Sequence, residues 1–421
     1  MRSLYICYFN TEEPLVHTQV LPYLRAVASS GVRLHLLTYE KRSRWRNGER
    51  ARRRELRQQL AADGIHWHAL KYHKRPSLVA TAGDVLLGIL YSVWLIVRHR
   101  IGIIHARAHV PGVIGLPLKI FLRRKLIFDL RGLMAEEYVD NRVWSADSAP
   151  FRLVKAAEGA LLRRADRIIV LTEKLKAILS ASAPPAIETE KIFVIPCCAD
   201  LSLYRLPRPT PVDGEARPLT LVYVGSVTGR YMLGEMIEFF KALQSKRRGW
   251  RFLVITRADH RQVQREFASR EVEPDSYRVV AAAPREVPRL LLGGDAAISF
   301  VKPSLAVSAM SPTKFGEYLA AGLPVVSTSG GDTDVLLEST TVGIIVQEFH
   351  RAAYEVAADQ MVALLESRQV HERCREAAAR YYSLAAVGEP RYIAVYRSLN
   401  QSDATASDDE ALSAALPGSQ S

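Results

Sequence analysis

Ser311-Pro-Thr-Lys-Phe-Gly-Glu-Tyr-Leu-Ala-Ala-Gly-Leu-Pro-Val-Val-Ser-Thr328 reads as a short helix running straight into a buried strand. Ser311 is a residue type that caps helix N-termini, and Pro312 suits a first helical position, where its missing N–H costs nothing. Phe315, Leu319 and Gly322 recur at helical spacing and should face a sheet. Gly322 is placed to end the helix in the left-handed conformation. Pro324-Val-Val-Ser then starts a strand with almost no loop. The helix N-terminus gathers free amides, the positive end of the helix dipole, Lys314 and the hydroxyls of Ser311 and Thr313, which together favour an anion. Lys314 and Glu317, three residues apart, are expected on one face. A cation for phosphates and a carboxylate for ribose hydroxyls suit a nucleotide. The same pattern also fits an ordinary capped helix with a surface ion pair.

Pro312, Lys314, Glu317-Tyr-Leu-Ala, Gly322 and Pro324-Val-Val resemble the donor-binding segment of family-four (group 1) retaining glycosyltransferases of the GT-B fold. The resemblance implies that Glu317 holds the ribose of a nucleotide-sugar. It places Ser311, Pro312, Thr313 and Tyr318 in the donor site and Lys314 on the diphosphate. The donor, a UDP-sugar or GDP-sugar, would be a substrate, with no cofactor needed. Family members often carry a second glutamate upstream of this helix. Here that position is Ala309, with Ser308 or the amides near Met310 as substitutes for its contacts to the sugar.

Outward from this stretch, strands and helices alternate on both sides. Leu4 to Phe9, Val32 to Thr38, Ile101 to His105, Lys125 to Leu130, Arg167 to Thr172 and Ile192 to Ile195 are short, β-branched-rich runs. Helical stretches such as Pro14 to Ser29, Gly83 to Arg98 and Pro150 to Arg164 lie between them. A proline-rich segment, 205–218, reads as a linker. The alternation restarts with strands at Leu219 to Gly225, Arg251 to Thr256, Tyr277 to Ala281, Asp295 to Val301, Pro324 to Thr328 and Val342 to Val346. The expected fold is α/β, two doubly wound Rossmann-like domains facing a cleft. The first, 1–204, would hold the acceptor and the second, 219–385, the nucleotide-sugar. A helix over 386–400 would return to the first domain, and 401–421 reads as disordered from its composition.

Composition sets further bounds. A formal charge of +13 over 421 residues points to acidic partners. Cys7, Cys197, Cys198 and Cys374 show no metal-ligand spacing, and a reducing cytoplasmic setting fits them. The N-terminus reads as a first strand and not as a signal peptide. Val85 to Val97 is the most apolar run. It is too short for a bilayer, which takes about 20 helical residues, so it reads as a buried core helix. Lys41 to Arg57 holds nine Lys/Arg against two Glu. It suits an anionic membrane surface with Trp45 at the interface, or a solvated helix face. No nucleic-acid-binding motif accompanies it.

Three other constellations bear on chemistry. Val222-Tyr-Val-Gly-Ser-Val-Thr-Gly-Arg is a strand ending in a glycine turn, which lets phosphates come close. Relatives carry a Gly-Arg there. This chain has Gly225-Ser226, so Arg230 is the expected diphosphate contact. His105 and Arg107 resemble the family's His-containing turn on the acceptor side, and His17 and Thr18 lie where acceptor loops are found. Many relatives place a His near Arg131, after Asp129. A guanidinium is always charged, so Arg131 would stabilise the leaving group without acting as a base. Pairing with Asp129 at a strand end is the simpler alternative.

The expectation is a hexosyl transfer, with retention and without a metal, to a glycan or lipid-linked acceptor in bacterial cell-surface polysaccharide synthesis. The enzyme would be cytoplasmic, peripheral at the inner face of the membrane. A GT-B sugar-nucleotide epimerase and an inactive GT-B scaffold subunit are the alternatives.

Overall fold

β-branched runs of three to eight residues, each followed by a helix, give parallel strands covered on both faces. The computed structural model describes residues 1–41, 49–73, 77–181, 187–205, 218–367 and 369–400. Strands β1 (Arg2–Cys7), β2 (Arg33–Glu40), β3 (Ile65–Lys71), β4 (Ile103–Arg107), β5 (Lys125–Asp129), β6 (Arg167–Val170) and β7 (Ile192–Val194) form a parallel sheet in the order β3-β2-β1-β4-β5-β6-β7. Strands β8 (Thr220–Val224), β9 (Arg251–Ile255), β10 (Tyr277–Val280), β11 (Ala296–Ser299), β12 (Val325–Thr328) and β13 (Gly343–Val346) form a second, ordered β10-β9-β8-β11-β12-β13.

In each sheet the chain winds outward from its first strand, then crosses back to that strand's other side. The reversals fall between β1 and β4 and between β8 and β11. Crevices open at the carboxyl ends of strands at such points.

The first domain carries helices α1 (Pro14–Gln19), α2 (Leu21–Ser29), α3 (Glu49–Ala62), α4 (Ser77–His99), α5 (His109–Leu122), α6 (Met134–Asp140), α7 (Ala149–Arg164) and α8 (Glu173–Ala181). The second carries α9 (Leu233–Lys246), α10 (His260–Ala268), α11 (Val287–Leu292), α12 (Leu305–Ser308), α13 (Thr313–Ala320), α14 (Thr333–Thr340), α15 (Arg351–Glu366) and α16 (Val370–Tyr381). One π turn, Leu384–Gly388, leads into α17, residues 389–400. Tyr392, Val395, Tyr396 and Leu399 of α17 pack among Tyr5, Tyr23 and Leu24 of the first domain. Arg167 Nε donates to Ser398 Oγ at 2.7 Å.

Alternate strand residues feed two separate apolar layers. Leu34 and Leu36 pack with α2 and α3, while Leu37 and Tyr39 pack with α4, α5 and α7.

Several local expectations change. Ile65-His-Trp-His-Ala-Leu-Lys71 is an edge strand that its histidines and lysine conceal in the sequence. The stretch Pro14 to Ser29 is two helices, broken at Val20. The apolar run Val85 to Val97 belongs to a longer helix, α4, of which one face is buried and the other exposed. Residues 206–217 of the linker, 42–48 of the basic segment and the 401–421 tail lie outside the described residues.

Candidate functional site: the cleft between the two sheets

Helix α13 begins one residue later than its sequence suggests. Pro312 is the N-cap residue, in extended backbone (φ −66°, ψ 129°), not the first helical one. Ser311 does not cap the helix: its Oγ accepts from the Cys197 N–H at 3.3 Å, across the domain boundary. The other end is as the sequence implies. Gly322 has φ +74°, its N–H reaches Leu319 O at 2.9 Å, and Leu323 N–H reaches Tyr318 O at 2.9 Å. This pair of bonds satisfies the last carbonyls of a helix ended by a left-handed residue.

Lys314 and Glu317 do not face one another's ligand side. Thr313 and Glu317 line a cavity of about 960 Å³ between the domains. Lys314 is buried behind it, its Nζ 3.2 Å from Tyr223 Oη and 4.2 and 4.1 Å from the ring centroids of Tyr223 and Tyr231. Burial lowers the Lys314 pKa to about 7, against the opposing effect of Glu317. Burial raises that of Glu317 to about 7, against the opposing effect of Lys314. The turn after β8 lies directly over the amine. Gly225 has φ +128°, and a Cβ there would stand 3.0 Å from Lys314 Nζ. A side chain would therefore strain the backbone and push the turn off the lysine. Tyr318 is not in the cavity. It is buried, accepts from Val224 N–H at 2.8 Å and donates to Ile298 O at 3.4 Å, so it fixes the end of β8.

Val224, Gly225, Ser226 and Thr228 form one wall of the cavity, and Ile255, Ala282, Val287 and Pro288 form an apolar recess beside them. His17, Thr18, Asp200 and Glu389 face them from the other side. Arg25, Arg257 and Arg285 add exposed cations that the sequence reading missed. Arg257 and Arg285 follow β9 and β10, and a basic residue just past a strand's carboxyl end was the available signal.

His105 and Arg107 are not on the acceptor side of the cavity. β4 runs on to Arg107, so both are strand residues beneath the cleft floor, not part of an open turn. They converge on Asp129, which is wholly buried. Arg107 donates to Asp129 Oδ2 at 3.2 Å, Tyr392 Oη to the same oxygen at 2.7 Å, and Arg131 to Oδ1 at 3.4 Å, while His105 Nε2 lies 3.6 Å from Oδ2. Burial alone would raise this carboxyl's pKa, but Arg131, His105 and Arg107 outweigh it and hold it below the usual carboxylate range. Burial lowers that of His105, with Asp129 opposing.

From Asp129 a chain of contacts crosses between the domains. Arg131 reaches Cys197 Sγ at 3.3 Å, Cys197 N–H donates to Ser311 Oγ, and the next residue, Met310, receives Arg230 at 2.8 Å. Arg230 also pairs with Glu137 at 3.2 Å. Neither Arg131 nor Arg230 lines the large cavity. Ala309 is fully buried, and the Met310 N–H is already bonded to Val307 O, so that amide cannot replace the absent glutamate. The Ser308 carbonyl accepts from Thr172 Oγ1 at 2.8 Å.

Asp332-Thr-Asp334 is an Asp-x-Asp sequence that the sequence reading passed over. Both carboxylates are committed elsewhere: Asp332 to the backbone of α8, Asp334 to Ser329 Oγ at 2.7 Å with Lys174 Nζ 3.7 Å away. Among the described residues, no three His, Cys, Asp or Glu side chains are grouped to hold a metal ion.

Residues 16–198 match the family model for a glycosyl transferase 4-like domain, and 218–367 match that for glycosyl transferases group 1. No curated protein matches by sequence. Among solved structures, sucrose-phosphate synthase from Thermosynechococcus elongatus superposes with a TM-score of 0.68 at 15% identity, over 96% of this chain and 99% of that one. Anabaena HepE, solved with UDP and glucose, gives 0.63 at 14% identity, over 95% and 99%. A putative UDP-N-acetylglucosamine 2-epimerase from Listeria monocytogenes gives 0.61 at 14%, over 95% and 97%. At such identities these likenesses establish the fold alone, whereas the two matched models span most of the sequence. The chain belongs to the group 1 glycosyltransferases, of family-four type and GT-B fold.

Proposed function

We propose that the protein transfers a hexose-like sugar, with retention, from a UDP- or GDP-sugar to a glycan or lipid-linked acceptor in bacterial cell-surface polysaccharide synthesis. The observation that carries this reading is the Glu317 carboxylate facing a cavity of about 960 Å³ beside the Gly225 turn. The base lies against Ile255, Ala282, Val287 and Pro288, and the ribose hydroxyls donate to Glu317. The diphosphate lies on the Gly225–Thr228 turn and the first turn of α13, with the Lys314 amine immediately behind. An arriving diphosphate raises the lysine's pKa and recharges it, so positive charge is greatest where the leaving group forms. This is electrostatic stabilisation by groups already in place, and it needs no metal. Arg131 and Arg230 add positive potential from the cleft floor. The acceptor enters past His17 and Thr18.

Turnover of nucleotide-sugars with and without acceptor tests the reading. A transferase needs the acceptor and loses activity in Glu317→Ala. Conversion of the sugar without acceptor would make it an epimerase. Nucleotide binding with no turnover across donors and acceptors would make it an inactive scaffold.

A further inference from the structure

The outer face of α4 is apolar and open to solvent. Leu86, Leu90, Trp94 and Val97 lie three or four residues apart on one side of the helix and are 50–70% exposed, at 58, 59, 52 and 67%. Ile120 and Phe121 extend the strip onto the neighbouring α5, with Phe121 80% exposed. Contiguous apolar surface of this kind marks an interaction site. The only acidic residue on the two helices, Asp84, is buried and held by Tyr8 Oη at 2.8 Å and His73 Nδ1 at 2.6 Å. Both helices lead into the amino ends of parallel strands, α4 into β4 and α5 into β5. Their C-termini therefore share one edge of the domain, and that edge carries exposed Arg98, Arg100 and Arg123.

We propose that this α4–α5 face docks on an anionic lipid bilayer. The helix is long and apolar enough to cross a membrane by length and composition, but its inner face is engaged. Leu95 and Ile96 belong to the core with Leu4, Ile6 and Leu37, and Tyr39 Oη donates to the Asp84 carbonyl at 3.0 Å. It therefore lies flat, a helix ~35 Å long for 23 residues at 1.5 Å each, with the apolar stripe from Leu86 to Val97 covering about 17 Å of it. Charge decides between a bilayer and a second copy of the chain. The arginines at the stripe's end would meet no acidic side chain on the same face of a partner copy, whereas anionic headgroups complement them. Trp94 and Tyr91, ring centroids 5.4 Å apart, are side chains suited to the boundary between acyl chains and headgroups. Helix α3, which carries residues 49–57 of the basic stretch, does not border this face. Leu56 and Leu60 of α3 pack in the layer on the opposite side of the sheet.

The test is co-sedimentation of the full chain with phosphatidylcholine vesicles with and without phosphatidylglycerol, together with Trp fluorescence quenching by brominated acyl chains. The wild type should partition more strongly to the anionic vesicles, and quenching should be lost in Trp94→Phe. Leu90→Glu with Phe121→Glu, both at exposed positions and checked by melting curves, should lower partitioning at least tenfold. Arg98→Glu with Arg123→Glu should remove the preference for anionic lipid and its salt sensitivity. Equal partitioning of the wild type and the Leu90/Phe121 double variant would overturn the proposal. So would no partitioning of wild type, or a wild-type dimer in sedimentation that the double variant dissociates. Vesicle binding requires neither donor nor acceptor, so its failure and that of the transferase reading are read separately.

Discussion

The carboxylate of Asp332, in the second domain, accepts the backbone N–H of Glu173, in the first, at 2.7 Å, and that of Lys174 at 3.1 Å. A helix N-terminus leaves amides without partners, and they are usually satisfied by a side chain from the same loop. Here α8 takes its own cap from Thr172, whose Oγ1 accepts from Leu175 N–H at 3.0 Å, and a second cap from across the cleft. The same Thr172 hydroxyl donates to the Ser308 carbonyl of the second domain. Asp140 and Ser304 bridge the domains nearby.

Asp332→Ala should therefore loosen the closed arrangement. A lost cap costs about 1 kcal/mol. Melting should fall by only a few degrees, but the radius of gyration in solution scattering should rise, because the missing bonds join domains. Asp332→Asn, which keeps one acceptor oxygen, should sit between. An unchanged radius in Asp332→Ala would mean that other contacts hold the cleft shut.

At the donor site, Glu317→Ala and Lys314→Ala should each weaken nucleoside diphosphate binding by about 1–3 kcal/mol, as for hydrogen bonds to charged groups. The lysine adds a pH dependence. Its pKa is about 7 before ligand arrives, and a bound diphosphate favours the charged amine. Affinity should then fall as pH rises above 7, by up to about tenfold per unit, and Lys314 should take up protons on binding, offset in part by release from Glu317, whose ionised form the ribose hydroxyls favour. Calorimetry in buffers of different ionisation enthalpy reads both effects. Lys314→Met should abolish the proton uptake that Lys314 supplies.

Arg131 is committed to Asp129 and Cys197, and its loss leaves a buried carboxylate short of a partner. Breaking a buried pair from one side costs about 3–5 kcal/mol. Arg131→Ala should accordingly lower the melting temperature strongly. Turnover per folded molecule separates that effect from catalysis. A loss of 100-fold or more with donor affinity intact would assign Arg131 to the leaving group as well.

The two-sheet fold was legible because its strands are apolar runs punctuated by helices, and α13 because Gly322 and Pro324 punctuate it. Glu317 and Gly225 could be placed from local pattern alone. Lys314 could not: its side chain turns away from Glu317 into two tyrosines, Tyr223 and Tyr231, brought there by a different strand and turn. His105 and Arg107 were misplaced because the sequence does not mark where β4 ends. The second cap on α8 was invisible, since residues 159 positions apart meet only through domain closure. The exposed face of α4 was hidden by composition, which counts apolar residues without saying which side of a helix they occupy.

Acid stability should depend on the histidines at the β3 edge. His35 Nδ1 lies 3.1 Å from His68 Nε2, and its ring centroid is 5.0 Å from that of His66 and 4.4 Å from that of His99. Burial, then the neighbouring imidazoles His99, His68 and His66 and the Arg2 guanidinium, lower the His35 pKa from 6.5 to about 3. Burial, His99, His66 and Arg57 lower that of His68 to about 4. Well above pH 6.5 both groups are neutral whether folded or not, and they make stability neither rise nor fall. Below 6.5 the unfolded chain binds protons that the folded chain refuses, so stability is lost as pH falls, most steeply between 6.5 and 4. Buried His105 shifts in the same direction and adds to the slope. Urea unfolding at intervals from pH 7.5 to 4.5 should show midpoints constant above about 7 and falling below. His35→Gln keeps a polar side chain that does not titrate, so it should flatten the slope by about one proton, with the remainder carried by His68, His99 and His105. A slope identical to wild type would mean that His35 is protonated in the folded protein and that the cluster opens to admit the charge.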